Sequence, residues 1–222
     1  MGRAFWTYTY LGGLGILVVL LNLAFKPLDA QYPDRAIDVA FLCVAGPLLN
    51  IPQVRIEQGR LSLSGIAIGV AALMTNPLDA TVIGLASSVS VLRRGAFPIV
   101  GNAMFSAVIA LTGAIVAGYL RRAGSFDLVG HVVVLAACFI VNMVIVSIAF
   151  ALWSGESLRN VLRHNFALSF YVALTYVALG ALVVSYLING TLDGYVLAAI
   201  VCVLTLALTD TISGRRIRRV LE

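Results

Sequence analysis

The chain has 222 residues, of which 61% are hydrophobic and 11% charged, with a formal charge of +5 and a mean hydropathy of +1.01. A soluble globular domain carries about 25% charged residues, so too few charges remain to cover a water-facing surface, and lipid is the expected solvent for most of the chain. No hydrophilic stretch exceeds about 15 residues, which excludes a separate soluble catalytic or nucleic-acid-binding module and points to one integral membrane domain over residues 1–222.

Arg3 precedes an apolar run from about Thr7 to Phe25 that opens on Trp6, Tyr8 and Tyr10, aromatic residues that favour the membrane interface. The run ends at Lys26-Pro27 without a small-residue cleavage pattern, as expected of a retained first span rather than a signal peptide. A polar loop, Lys26 to Arg35, carries Pro27 and Pro33 as breakers. The second run, about Ala36 to Ile51, holds Gly46-Pro47 and is marginal against the roughly 20 apolar residues that a square crossing needs.

From Val54 to Ser64 apolar and polar residues alternate around Gln58-Gly59, which predicts either a small β-hairpin at the membrane surface or an irregular loop. Two short runs follow, about Leu61–Thr75 and Leu78–Leu92, broken at Asn76-Pro77 and closed by Arg93-Arg94. They are studded with Gly65, Ala67, Gly69, Ala71 and Ala72, then Gly84, Ala86, Ser87, Ser88 and Ser90. Side chains this small allow backbones to approach closely in a bilayer, so the pair is expected to form a tight helical hairpin, spanning or re-entrant. The fifth run, Phe97 to Leu120, should clamp it.

The sixth run extends from about Leu128 to Trp153. In the polar loop Ser154–Asn165, Arg159 and Arg163 are four residues apart and would share one face of a short interfacial helix. The seventh and eighth runs cover about Phe166–Ile188 and Leu192–Ile212, before a basic GRRIRRVLE ending. An eight-run arrangement places eleven of the fifteen Lys and Arg residues on the side of the N-terminus and four (Lys26, Arg35, Arg121 and Arg122) on the other. That bias predicts cytoplasmic termini. The expected fold class is therefore all-α: a polytopic helical bundle of about six to eight transmembrane helices with a short or re-entrant small-residue hairpin.

Polar groups at membrane depth cost a few kcal/mol unless partnered, and so each needs a reason. Asp79 reads either as a first-turn acid complementing a helix N-terminus or as a binding residue. Asn102 and Asn142 read as interhelical hydrogen-bonding amides or as ligand contacts. His131 reads as an interfacial histidine or a proton sensor. Asp210 is expected to pair near Arg215 at the cytoplasmic interface. Asn22 and Asn50, near span ends, carry little weight. Cys43, Cys138 and Cys202 lie far apart inside apolar runs, so thiolate metal binding is not expected and no cofactor is implied. With no HExxH, GxSxG or phosphate-binding glycine loop, no catalytic set emerges and enzymatic activity is not expected.

At its organising stretch the chain resembles the polytopic N-terminal membrane sensor domains that precede HD-GYP phosphodiesterases, diguanylate cyclases and histidine kinases in bacteria. The residues concerned are Val54-Arg55-Ile56 with Gln58-Gly59-Arg60-Leu61-Ser62-Leu63, then Asn76-Pro77, Gly84, Arg93-Arg94, Asn102 and the later Ser157–Arg163 segment. The small-residue pattern is also similar to that of the substrate-binding S-components of energy-coupling-factor vitamin transporters. The resemblance implies a sensory or ligand-binding domain of the bacterial inner membrane, with a cavity between the hairpin and the fifth and sixth helices. Output would pass through the last helix to a cytoplasmic signalling domain. In the sensor family the chain continues past that helix; here it stops at Glu222. The alternatives are an S-component-like uptake subunit for a small solute and a structural subunit bound to membrane-protein partners. The expected partners are the lipid bilayer and a small-molecule ligand, not nucleic acid.

Overall fold

The structure is a computed structural model that describes the backbone of all residues except 1–2, 33–34, 52, 57–58, 90–95, 166–167, 189 and 222, and the side chains of all but those and 3–4, 31, 53–56, 59–61, 96–98, 163–165, 168–173 and 208–221. Arg93, Arg94 and Gln58 lie outside the described residues, as do the side chains of His164, Asp210 and the Arg215–Arg219 cluster.

The described residues are almost entirely helical. The order is α1 (Arg3–Phe25), a 3₁₀ helix (Lys26–Gln31), α2 (Ala36–Leu49), the strands β1 (Gln53–Ile56) and β2 (Gly59–Ser62), α3 (Ser64–Met74), α4 (Pro77–Ala86), α5 (Ala96–Arg122), α6 (Leu128–Ser154), α7 (Leu158–Asn165), α8 (Leu168–Leu187) and α9 (Leu192–Leu221). The alternating stretch is thus a hairpin, antiparallel, with Val54 opposite Leu61 and Ile56 opposite Gly59.

Local chemistry sets the boundaries. Asn76 caps α4: its side-chain oxygen accepts from Asp79 N at 2.8 Å, and Pro77 fills the first position, where no N–H is needed. Asp127 does the same for α6 by accepting from Gly130 N at 2.9 Å. The end of α5 turns at Gly124 (φ 70°) with Ser125 N donating back to Leu120 O, and α6 stops at Gly155 (φ 75°), both left-handed conformations that favour glycine.

Among the described residues three helices are long and apolar enough to cross a membrane: Phe5–Ala30, Ile99–Arg122 and Leu128–Ser154. Shorter apolar helices accompany them at Ala36–Leu49, Ser64–Met74, Pro77–Ala86, Leu174–Leu187 and Leu192–Ala207. The eleven residues of α3 and ten of α4 extend only about 16 and 15 Å at 1.5 Å per residue, roughly half of a 30 Å hydrocarbon core.

α3 is the centre of the molecule. Every residue from Ser64 to Met74 except Gly65 is buried, and α2, α4, α5, α6 and α8 pack around it. A helix apolar on all sides must be enclosed on all sides. Its apolar side chains join those of α2, α4, α5, α8 and α9 in one core, while a second core joins Leu11, Leu14 and Val18 of α1 to Ala107, Val108 and Leu111 of α5. The outward faces are the reverse of a soluble protein's. Ile16, Leu20 and Leu23 of α1, Val129 and Ile140 of α6, and Val203 of α9 are all exposed, a display that calls for lipid around them.

The small residues are used differently from the expectation. They do not chiefly join α3 to α4. A methyl group at Gly65 would lie 2.7 Å from Val177 Cγ1, and one at Gly69 would lie 2.7 Å from Ala181 Cβ, so this edge of α3 meets α8. Gly84 of α4 meets α5, where a methyl would lie 2.7 Å from Ser106 O and 2.8 Å from the Ala107 backbone. Gly113 returns the contact from α5 at a junction with Ala72 of α3 and Cys138 of α6. The hairpin is held by its neighbours more than by its own two legs, and α5 does clamp it.

Candidate functional site

α3 forms the floor of a cleft of about 690 Å³ walled by α5, α6 and α8, within the roughly 300–1,000 Å³ typical of small-molecule sites. The cleft exists because α6 and α8 both pack on α3 but scarcely touch one another. The glycines of α3 bring α8 close to the floor, so that Val177 and Ala181 line its base beside Gly65 and Gly69.

Polarity along the cleft is graded. One end gathers Asn50, Ser62 and Ser64 at the start of α3, with Asn102 and Ser106 of α5 and Asn142 of α6. The other end is apolar, with Val132, Leu135 and Ala136 of α6 facing Ala178 and Leu182 of α8. No Asp, Glu, Lys, Arg or His lines the cleft among the described residues.

The polar end is built on a small hydrogen-bond network. Asn50 is buried and donates through Nδ2 to Ser87 O at 3.0 Å, tying the end of α2 to the end of α4. Its Oδ1 accepts from Ser62 Oγ at 2.6 Å, and that hydroxyl lies 2.8 Å from Ser64 Oγ and accepts from Ser64 N at 3.1 Å. This fixes β2 to the N-terminus of α3, whose first N–H groups lack intrahelical partners.

Of the four residues singled out from the sequence, two come together and two lie apart from them and from each other. Asn102 and Asn142 come together as cleft-lining residues on facing helices. Asn102 is exposed and Asn142 half-buried; among the described residues neither amide makes the interhelical hydrogen bond that was one reading of it. Asp79 is not at the cleft. It sits in the first turn of α4, where Asn76 Nδ2 donates to its Oδ2 at 2.8 Å, in keeping with its reading as a first-turn acid. His131 is also elsewhere, at the opposite end of α6, with its ring 4.4 Å from Phe126 and stacked at 5.5 Å on Tyr186. Its Nδ1 lies 2.6 Å from Asp127 O.

Several polar residues with defined roles escaped the sequence reading. Asn50, given little weight there, is the hub of the network above. Asp38, buried in α2, is held by Arg35 Nη1 at 3.1 Å and accepts a hydrogen bond from the Tyr195 hydroxyl of α9. Arg121, counted only as a topological charge, reaches from the end of α5 to the end of α3. There Nη2 donates to Leu73 O at 2.7 Å, while the guanidinium lies 3.8 Å above the Phe126 ring and 5.1 Å from that of Tyr32. Tyr32 donates to Ala114 O, and burial pushes its phenol up to about 12, so the donor proton is retained at neutral pH. Asn22 of α1 donates to Thr81 Oγ1 of α4 at 3.0 Å. Spacing along one helix could not reveal the Tyr195–Asp38, Arg121–Leu73, Tyr32–Ala114 and Asn22–Thr81 links, because each joins residues remote in sequence.

Among the described residues no group of His, Cys, Asp and Glu is placed to hold a metal ion. Comparison with protein-family models, with curated proteins and with solved structures returns no match to this chain.

Proposed function

We propose that this chain is a sensory, ligand-binding domain of a bacterial inner membrane, and that the cleft between α3, α5, α6 and α8 receives its ligand. The observation that carries the reading is the convergence of Asn102 and Asn142, without protein hydrogen-bond partners among the described residues, on a cleft of about 690 Å³. An unpartnered amide at membrane depth is costly, and a bound polar group relieves that cost.

In this reading α1, α2, α5, α6, α8 and α9 cross the bilayer and α3–α4 is a re-entrant hairpin whose ends both return to the cytoplasmic side. Both termini are cytoplasmic, as the arginine bias favours. A ligand seated on α3 bears on α8, which leads into α9 through the short connection at Ile188–Thr191. The 30 residues of α9 are about 45 Å long, more than a bilayer core requires, so its basic end reaches the cytoplasm and could drive a signalling partner there. The resemblance to sensor domains ahead of cyclases, phosphodiesterases and kinases belongs to this proposal.

Native mass spectrometry of the protein taken from membranes into nanodiscs tests the reading. The wild type should retain a small-molecule adduct that the N102A/N142A double variant loses while keeping its melting temperature. No adduct on the wild type, or equal retention by the double variant, would contradict it.

A further inference from the structure

We infer that the ligand of this cleft is an uncharged, single-chain amphiphile that enters sideways from the bilayer through the gap between α6 and α8. The inference rests on the reading of the cleft as a ligand site and names the chemistry of its occupant.

Three observations carry it. The first is the gap: α6 and α8 both lean on α3 and touch little beyond the His131–Tyr186 ring stack at one end, so between that stack and the polar end the wall beside Ala136 and Ala178 is open. Small and exposed Ala136 stands on one side of it and half-buried Ala178 on the other. A solute arriving from water needs no opening toward hydrocarbon, whereas a lipid-soluble one does.

The second is the gradient. From Val146 to Val132 the cleft follows α6 for about 21 Å at 1.5 Å per residue. The start of α3 and of α5 supplies hydroxyls and amides at one end, and among the described residues apolar side chains line the other. An acyl or alkyl chain matches the apolar run, and burying it there exchanges lipid contact for protein contact.

The third is charge. Asn102, Asn142, Ser62 and Ser64 can both donate and accept, while no ionised side chain lines the cleft among the described residues. An isolated ionised head there would lose hydration without a counter-charge. A hydroxyl, ester or amide head loses little. The volume of about 690 Å³ holds one chain and is less than a two-chain phospholipid occupies.

The test uses full-length protein in phosphatidylcholine nanodiscs and three photoactivatable diazirine probes: a monoacylglycerol, a lysophosphatidylglycerol with the same chain, and a short water-soluble glycerol ether. The monoacylglycerol should label peptides within 132–146 and 174–182, saturably, with competition by unlabelled monoolein. Labelling should fall at least about tenfold, the change that 1.4 kcal/mol produces, in the A136F/A178F variant, which narrows the gap. Competition by monoolein on the wild type keeps the test valid if that variant misfolds. Equal or stronger saturable labelling by the anionic probe would overturn the uncharged head. Saturable cleft labelling by the water-soluble probe alone would overturn the amphiphile and leave the ligand site standing. Absence of saturable cleft labelling by all three would overturn both.

Discussion

Gly84 and Gly113 show what a single residue controls in this bundle. At Gly84 the obstacle to a methyl group is the α5 backbone itself, 2.7 Å away at Ser106 O, which cannot move aside as a flexible side chain would. At Gly113 the obstacles are Cys138 Sγ and, at 2.6 Å, Ala72 Cβ. Gly84→Ala and Gly113→Ala are each expected to destabilise the protein by about 1–3 kcal/mol, the usual cost of overpacking, read as a fall in melting temperature in detergent. Gly12→Ala, with nothing within 4 Å of the added methyl, should leave it unchanged or slightly raised; equal effects at all three sites would refute the packing described. The Tyr195 hydroxyl on Asp38 gives a second residue-scale expectation. Tyr195→Phe removes a hydrogen bond to a carboxylate and should cost about 1.5–3 kcal/mol. In an Asp38→Asn background the same change should cost measurably less, and full additivity in this cycle would mean that the two groups do not interact. Neither Asp38 nor Asn50 stands out in the sequence, because an isolated polar residue at the end of an apolar run reads the same whether it is a loop residue or a buried hub.

At the scale of elements, the α3–α4 hairpin and its clamp are the part of the fold most dependent on distant residues. Arg121 donates to Leu73 O in the last turn of α3, where a cation also complements the negative helix end. Arg121→Ala should therefore loosen the hairpin tip, lowering stability by about 1–2 kcal/mol, whereas exposed Arg122→Ala should have no measurable effect. Hydrogen exchange at the Leu73–Asn76 amides checks this: faster exchange is expected only in the Arg121 variant, and equal rates in both would count against the clamp. Most helices were legible in the sequence because each apolar run is punctuated by Pro, Gly or Arg at its ends. The lip hairpin was legible as one of two alternatives from its alternation. The direction in which the hairpin's small residues point was not. α3 is apolar on all sides, so its sequence contains no face to distinguish α4 from α5 or α8 as the partner.

For the whole molecule, the asymmetry of Arg and Lys favours the proposed orientation, and thiol labelling of intact cells can check it. Single cysteines at Ser125 and Glu156, both exposed, should react with an impermeant maleimide from outside only at Ser125. Reaction at Glu156 instead would invert the topology. The resemblance to sensor domains implied a cavity between the hairpin and the fifth and sixth helices; the cleft is floored by α3, flanked by α5 and α6, and has α8 as its further wall. That wall could not be read from the sequence, because it depends on α6 and α8 leaning apart over α3. An enclosed α3 flooring an open cleft is what the functional reading requires. Its most direct test is the reactivity of single cysteines toward N-ethylmaleimide in a cysteine-free background in nanodiscs. Cysteines at Asn102 and Asn142 should react, while cysteines at Leu73 and Ile83, both fully buried, should not. Ready reaction at Leu73 and Ile83, with protection at Asn102 and Asn142, would contradict the arrangement.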